Sequence, residues 1–281
     1  MEKELTFQRC GSGFFSCCNI ILMNIIDYFN THHKLPEKIN TEKMFAVYQF
    51  FENQDIFTHC FYEKEITIEY IDNIYFCESK EEAQFSNYKL LNYHSLEPFI
   101  EKYYNITEII QNRIIELKEK YGLKEQKDLC GVFYRGNDKV KETQKPPYEE
   151  IIEKANSFKE QNPDLRFLVQ TDENDFLQYF LSIYPDSIFF QEIPTINQQM
   201  TTVAEIYRNN SNKLELLEYY IASIFILSQL ENVICTSGNG ELFMCLFRKN
   251  AIGIHQYLKK NEIIHGSYNK DFNPNETNFW F

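Results

Sequence analysis

The sequence predicts an α/β protein with a parallel sheet, and three observations carry that expectation. From Leu129 onward, short apolar runs alternate with helical runs, the rhythm of a parallel sheet covered by helices on both faces. Three of the apolar runs end in polar loops, at 135–145, 171–173 and 236–240, which such a sheet places on one edge. Near the N-terminus, Gly11-Ser12-Gly13 stands between a short strand and a helical run, the order that turns helix amides toward an anion.

In chain order, residues 4–10 read as a strand, 17–29 as a helix, 35–38 as a loop and 43–51 (KMFAVYQFF) as a second strand. The stretch 52–88 is aromatic-rich and irregular, with a strand expected at 66–70, and its Phe and Tyr residues read as packing. His59 and His94 read as structural. Residues 96–121 carry Ile106, Ile109, Ile110, Ile114, Leu117 and Tyr121 at helical spacing, with a capping start at 105–108 and Gly122 as the stop. A domain boundary falls near there. Strands follow at 129–134, 164–170, 187–191, 232–235 and 251–256, and helices at 148–161, 174–183, 214–230 and 241–248.

The composition bounds the function. The 281 residues suffice for one large domain or two ordinary ones, and 43% are hydrophobic. Twenty-eight Lys and Arg against 41 Asp and Glu give a net charge of −13, which argues against general nucleic-acid binding but leaves room for a small basic pocket. The N-terminus has no basic region followed by an apolar run, and no stretch reaches the roughly 18–20 apolar residues of a membrane span, so a cytoplasmic location is expected. The eight cysteines form no CxxC pair and read as reduced core thiols, and no metal site is expected. The N-x-[ST] sequons at Asn105, Asn209 and Asn275 then read as chance matches.

The chemistry concentrates at 129–140. Leu129 to Tyr134 is a buried strand, so Arg135, Asp138 and Lys139 sit where it gives way to a loop opened by Gly136 and Asn137. A guanidinium and an ammonium four residues apart can grip a diphosphate, the first as a planar fork and the second as a point charge. A plain surface salt bridge through Asp138 is the alternative. Thr236, Ser237, Gly238, Asn239 and Gly240 precede a helix and form a second amide cradle for phosphate. The Gly11–Gly13 loop is as well explained by a tight turn.

The run GVFYRGNDKV at 131–140, FLVQTDE at 167–173, ILSQLENVICTSGN at 226–239 and the Gly11-Ser12-Gly13 loop, taken in order, resemble the GDP-fucose-dependent α-1,6-fucosyltransferases and their protein O-fucosyltransferase relatives. The resemblance covers most of 123–250 and, thinly, 8–30. It implies a GT-B-like fold of two Rossmann-like domains with parallel sheets facing a cleft: 1–122 on the acceptor side, 123–260 holding the nucleotide sugar, and a tail at 261–281 returning toward the N-terminal domain. It implies an inverting, metal-independent transfer of fucose from GDP-fucose to a hydroxyl of a glycan or protein acceptor, with no cofactor.

By that resemblance Arg135 would neutralise the diphosphate leaving group and Lys139 would add to the grip. Ser237, Gly238 and Asn239 would hold phosphate oxygens, with Asp172 near the nucleoside. Two departures stand out: the family histidine is Phe133, and the aspartate that reads guanine falls on Ser223, with Glu218 a substitute one turn away. Glu142 is the candidate general base, with a solvated loop acid as its alternative. Two other functions stay open. One is a non-catalytic nucleotide- or glycan-binding relative. The other is an NAD-dependent oxidoreductase built on Gly11–Gly13, for which Glu52 is the only nearby acidic ribose reader.

Overall fold

The computed structural model describes residues 4–52, 54–69, 74–76, 83–123, 128–137, 139, 142–143, 145–196, 207–208, 210–258, 263–264, 267–268 and 279–281. Its centre is a five-stranded, wholly parallel sheet in the order β7-β6-β5-β8-β9. The strands are β5 (Leu129–Tyr134), β6 (Arg166–Thr171), β7 (Ile188–Phe189), β8 (Asn232–Cys235) and β9 (Ile254–Gln256). Helices α5 (Tyr148–Gln161), α6 (Asn174–Ile183), α7 (Lys213–Ser228) and α8 (Asn239–Arg248) alternate with them. The rhythm read from the sequence is therefore present, with 129–134, 148–161, 174–183 and 232–235 at the expected bounds.

The sheet is buried on both faces, and side chains alternate between them as the pleat demands. Cys130, Val132 and Tyr134 of β5 join Phe167, Val169 and Ile234 in one core with Ile151, Ile152 and Ala155 of α5 and Phe176, Leu177 and Phe180 of α6. Leu129 and Phe133 point the other way, into a larger core with Leu168, Val233 and Cys235, helices α7 and α8 and most of the N-terminal half.

That half holds one βαβ unit: β1 (Glu4–Thr6), α1 (Phe14–His32) and β2 (Lys38–Asn40), with β1 and β2 parallel. Among the described residues this pair is its only parallel sheet. α1 packs on α8. A short helix α2 (Ile56–Cys60) leads into β3 (Phe61–Tyr62), which pairs antiparallel with β4 (Asn105–Ile106). Helices α3 (Tyr93–Tyr103) and α4 (Glu108–Lys120) flank β4, and α4 lies along α7. Beyond the sheet, β10 (Ile263–Ile264) pairs antiparallel with β11 (Ser267–Tyr268), and the backbone of Phe281 exchanges hydrogen bonds with that of Gln256 at the β9 edge.

Four local expectations need correction. Residues 43–51 are a series of turns: Met44 N donates to Thr41 O, and Tyr48 N to Phe45 O. Met44, Phe45, Val47 and Tyr48 are buried, with Phe45 against α1 and α2, while Phe50 and Phe51 are exposed, so the apolar run reflects partial burial rather than a strand. Residues 66–69 form no strand. β2 begins inside the stretch expected as loop, at Lys38. The long helix expected at 96–121 is two helices, because residues 104–107 leave helical geometry to pair as β4 with β3. Its stop is as read. Gly122 sits at φ +65 in the left-handed region, while Leu123 N donates to Lys118 O and Gly122 N to Glu119 O, so the last carbonyls of α4 are satisfied.

Candidate active site

A cleft of about 430 Å³ opens where the carboxyl ends of β5, β6 and β8 meet the start of α1. The chain runs outward from β5 on one side and returns through β8 on the other, so this is the switch point of the sheet. One wall comes from the loops that end β5, β6 and β8; the other is Gly11–Ser16 and Tyr48.

The polar wall is built around Arg135. Its backbone N donates to Thr236 Oγ1 at 3.0 Å, and Thr236 N donates to Phe133 O at 3.0 Å, so the β5 and β8 exits are tied together. Its Nε donates to Asp172 Oδ2 at 2.8 Å, while Asp172 Oδ1 accepts from Gly136 N at 3.0 Å. Asn137 Nδ2 fastens to the Asp172 carbonyl at 2.6 Å. With the Arg135 side chain 14% exposed and that of Asp172 6%, the pair is largely out of water, where an unpaired member is costly. Asp172 therefore positions Arg135 and itself lines the cleft. Gly136 is demanded by close approach, since a Cβ there would stand 1.6 Å from Glu173 Oε2. Glu173 is itself bound to Lys145 Nζ at 3.1 Å and to the Tyr148 hydroxyl.

Lys139 is buried. Its Nζ donates to Glu142 Oε2 at 2.6 Å and to Gln84 Oε1 at 3.1 Å, and the same Gln84 oxygen accepts from Asn239 Nδ2 at 2.9 Å. Gln84 and Tyr88 sit in two short 3₁₀ turns, Ala83–Phe85 and Tyr88–Leu90, against the start of α8. The Tyr88 hydroxyl meets both Gly238 N and Gly238 O at 3.0 Å. An uncharged amide oxygen of the chain's own thus collects donors from both predicted grip segments, 135–145 and 236–240.

Asn239 and Gly240, the first residues of α8, line the cleft, as do Phe133, Glu142, Thr171 and Asp172. Thr236 is buried one layer deeper and donates to Glu241 Oε1 at 2.9 Å. Ser237 is turned inward: its hydroxyl donates to Tyr257 O and accepts from Gln256 Nε2, both at 2.9 Å, so it braces the loop. Ser223 lies behind the wall, fully buried, with its hydroxyl on the Tyr220 carbonyl at 2.7 Å; the α7 side chain at the cleft is Tyr220, one turn earlier. Tyr220 bonds the Arg135 side chain, and burial holds its phenol above the ordinary value. Glu218 does not line the cleft: it pairs with His59 Nε2 at 2.9 Å and Arg113 Nε at 3.0 Å, joining α2 and α4 to α7. Asp138 lies outside the described residues.

The opposite wall carries no charged side chain and is roomy. A Cβ on Gly11 or Gly13 would meet nothing within 4 Å. Phe14 N donates to the Tyr48 hydroxyl at 2.9 Å, and the Tyr48 and Tyr207 rings meet edge-on at 5.2 Å. Glu52, the ribose reader that the oxidoreductase alternative needs, is exposed and follows turns, not the strand that alternative assumes. Among the described residues no group of three or more His, Cys, Asp or Glu could hold a metal, and no helix is long and apolar enough to cross a membrane.

Sequence reasoning did not find Gln84, Tyr48, Tyr207, Tyr220 or Glu241. Tyr220 and Glu241 are within one helical turn of residues that were named, so their signal was helical spacing. Gln84 and Tyr48 come from the aromatic N-terminal stretch, where no periodicity marks them.

No protein-family model and no curated protein matches the chain. Among solved structures it is similar to NodZ alpha-1,6-fucosyltransferase soaked with GDP-fucose, at 14% identity and a TM-score of 0.38 over 59% of this chain and 49% of that one. It is similar also to NodZ alpha-1,6-fucosyltransferase co-crystallised with GDP, at 14% identity and a TM-score of 0.36 over 58% and 48%. A variant of Arabidopsis thaliana FUT1 in complex with GDP matches at 10% identity and a TM-score of 0.36 over 60% and 36%. The chain spans at most about half the length of these structures.

Proposed function

We propose that the cleft binds a nucleoside-diphosphate sugar and that the protein transfers the sugar to a hydroxyl acceptor, with GDP-fucose the first donor to test. One observation carries the reading: Arg135, Lys139 and the N-terminus of α8 converge on a single cleft at the switch point of a parallel sheet. Its volume falls within the roughly 300–1,000 Å³ common for small-molecule sites. The open space over Gly11 and Gly13 supports close approach of a ligand to the backbone.

In this reading the acceptor oxygen attacks the anomeric carbon from the face opposite the diphosphate. The carbon–oxygen bond to the phosphate breaks and the nucleoside diphosphate leaves with the electron pair. Arg135 and Lys139 offset its growing charge electrostatically. The acceptor's proton passes to a carboxylate, and Glu142, at the cleft and held through Oε2 by Lys139, is the proposed base. No step calls for a metal. Phe133 and Tyr220 give the region where the resembling enzymes read guanine an aromatic character, so the base is a point to test.

The experiment is release of GDP from GDP-fucose by the wild type and Glu142→Gln, with and without a panel of glycan and protein acceptors. Acceptor-stimulated release that falls about 10²-fold or more in the variant supports transfer. Binding of GDP with neither hydrolysis nor transfer points to a nucleotide-binding relative, and no binding at all removes the proposal.

A further inference from the structure

Glu241 is a carboxyl that nothing in the proposed chemistry uses. It lies in the first turn of the ten-residue helix α8 and is fully buried. Oε1 accepts from Thr236 Oγ1 at 2.9 Å, and Thr236 Oγ1 in turn accepts from Arg135 N at 3.0 Å. Among the described residues Oε2 has no hydrogen-bond partner. It stands 2.7 Å from where a Cβ on Gly238 would be, and the Lys139 Cε lies 3.3 Å from that same point. The unpartnered oxygen is therefore wedged between the first amides of α8 and the lysine that reaches the cleft.

We propose that Glu241 is a positioning residue that takes up a proton when a diphosphate enters the cleft. This rests on the nucleoside-diphosphate reading above. The charges at the wall are already matched: Arg135 pairs with Asp172, Lys139 with Glu142 and Lys145 with Glu173. A diphosphate at the start of α8 adds two or more negative charges. An ionised Glu241 in the same turn would compete with it for the helix N-terminus and for both cations. A neutral Glu241 removes that competition.

The surroundings agree. Burial raises the carboxyl above its ordinary value, outweighing Arg135, the backbone N–H of Glu241 itself, Lys139 and the bond from Thr236, all of which favour the charged form. The other titratable groups facing it are Cys235 at the end of β8, Cys245 within α8, Tyr88 and, from α7, Tyr220. All four are neutral at ordinary pH, and burial raises each further.

The sign follows from linkage. Because the folded value is raised, the folded protein holds more protons than the unfolded chain above the ordinary carboxylate value. Stability from this group therefore falls as pH rises toward the raised value and is flat beyond it. Diphosphate affinity falls in the same direction, by up to about tenfold per pH unit while uptake is complete.

The test is calorimetric titration of GDP, and in parallel inorganic pyrophosphate, into the wild type and Glu241→Gln, in buffers of low and high ionisation enthalpy. The difference between the two proteins cancels the ligand's own phosphate ionisation. We expect the wild type to take up more protons per bound ligand than the variant, by at most one. The variant should show the shallower fall of affinity with pH. Equal uptake by both proteins overturns the proposal. Pyrophosphate binding with the expected uptake, when GDP does not bind, supports the proposal and overturns the guanine nucleotide. Failure of both ligands overturns the diphosphate reading and the coupling with it. Should Glu241→Gln fail to fold, the wild type with GDP decides alone at a pH above the nucleotide's own phosphate ionisation, where zero uptake contradicts the proposal. Denaturant stability against pH reads Glu241 without any ligand.

Discussion

The two walls of the cleft are made differently. On the C-terminal side, Arg135, Lys139, Asp172, Asn239 and Glu241 are buried or nearly so, and most are tied to a neighbour within 3.1 Å. On the N-terminal side, Gly11 and Gly13 face open space, and the neighbouring groups are the uncharged Ser12 and Ser16 and the aromatic Phe14, Phe15 and Tyr48. The first wall has its cations fixed before a ligand arrives, which lowers the reorganisation needed on binding. The second supplies room and an uncharged surface. The difference suggests a division of labour: charge and chemistry on one side, shape on the other.

Substitutions can break that comparison. The largest effect is expected on the polar wall. Asp172→Asn leaves Arg135 buried beside a neutral partner and should cost about 3 kcal/mol or more of unfolding free energy, measured by urea denaturation. A loss below about 1 kcal/mol would show that the pair is solvated and the wall not preset. Next comes Gly136→Ala, whose Cβ must displace the Glu173 carboxylate from Lys145 and Tyr148, at roughly 1–3 kcal/mol. Tyr48→Phe removes the acceptor of the buried Phe14 N and should cost about 1–2 kcal/mol. Gly13→Ala is the sharpening case. With nothing within 4 Å and φ −62, stability should change by no more than about 0.5 kcal/mol, while nucleotide binding weakens because the methyl intrudes on ligand space. A Gly13→Ala that binds normally would remove the N-terminal wall from the site.

How much of this was legible in the sequence differs between the same two regions. The C-terminal sheet was readable because each strand is a short apolar run closed by polar turn residues, and its bounds at 129–134 and 232–235 match. Its site was readable for the same reason, since loops at carboxyl ends must converge. Side-chain direction was not: Ser237 turns inward to Gln256 and Tyr257, and Ser223 yields the cleft to Tyr220, one turn away. The N-terminal half resisted because burial there is decided by tertiary packing. Met44, Phe45, Val47 and Tyr48 are as apolar as a strand yet lie in turns, packed against α1. The break between α3 and α4 is set by β3, more than forty residues away in sequence, which no local pattern encodes.

The central claim is that Arg135 anchors a nucleoside diphosphate in this cleft. The measurement that tests it most directly is thermal stabilisation by GDP, UDP, ADP and NAD, read on the wild type, Arg135→Lys and Arg135→Ala. A ligand that binds only the folded state raises the melting temperature by mass action. The account predicts stabilisation by GDP in the wild type, weakened in Arg135→Lys, which keeps charge without the planar fork, and lost in Arg135→Ala. Stabilisation by UDP or ADP in place of GDP would keep the diphosphate grip and change the donor. Equal stabilisation of all three proteins, or a response to NAD alone, would contradict the claim.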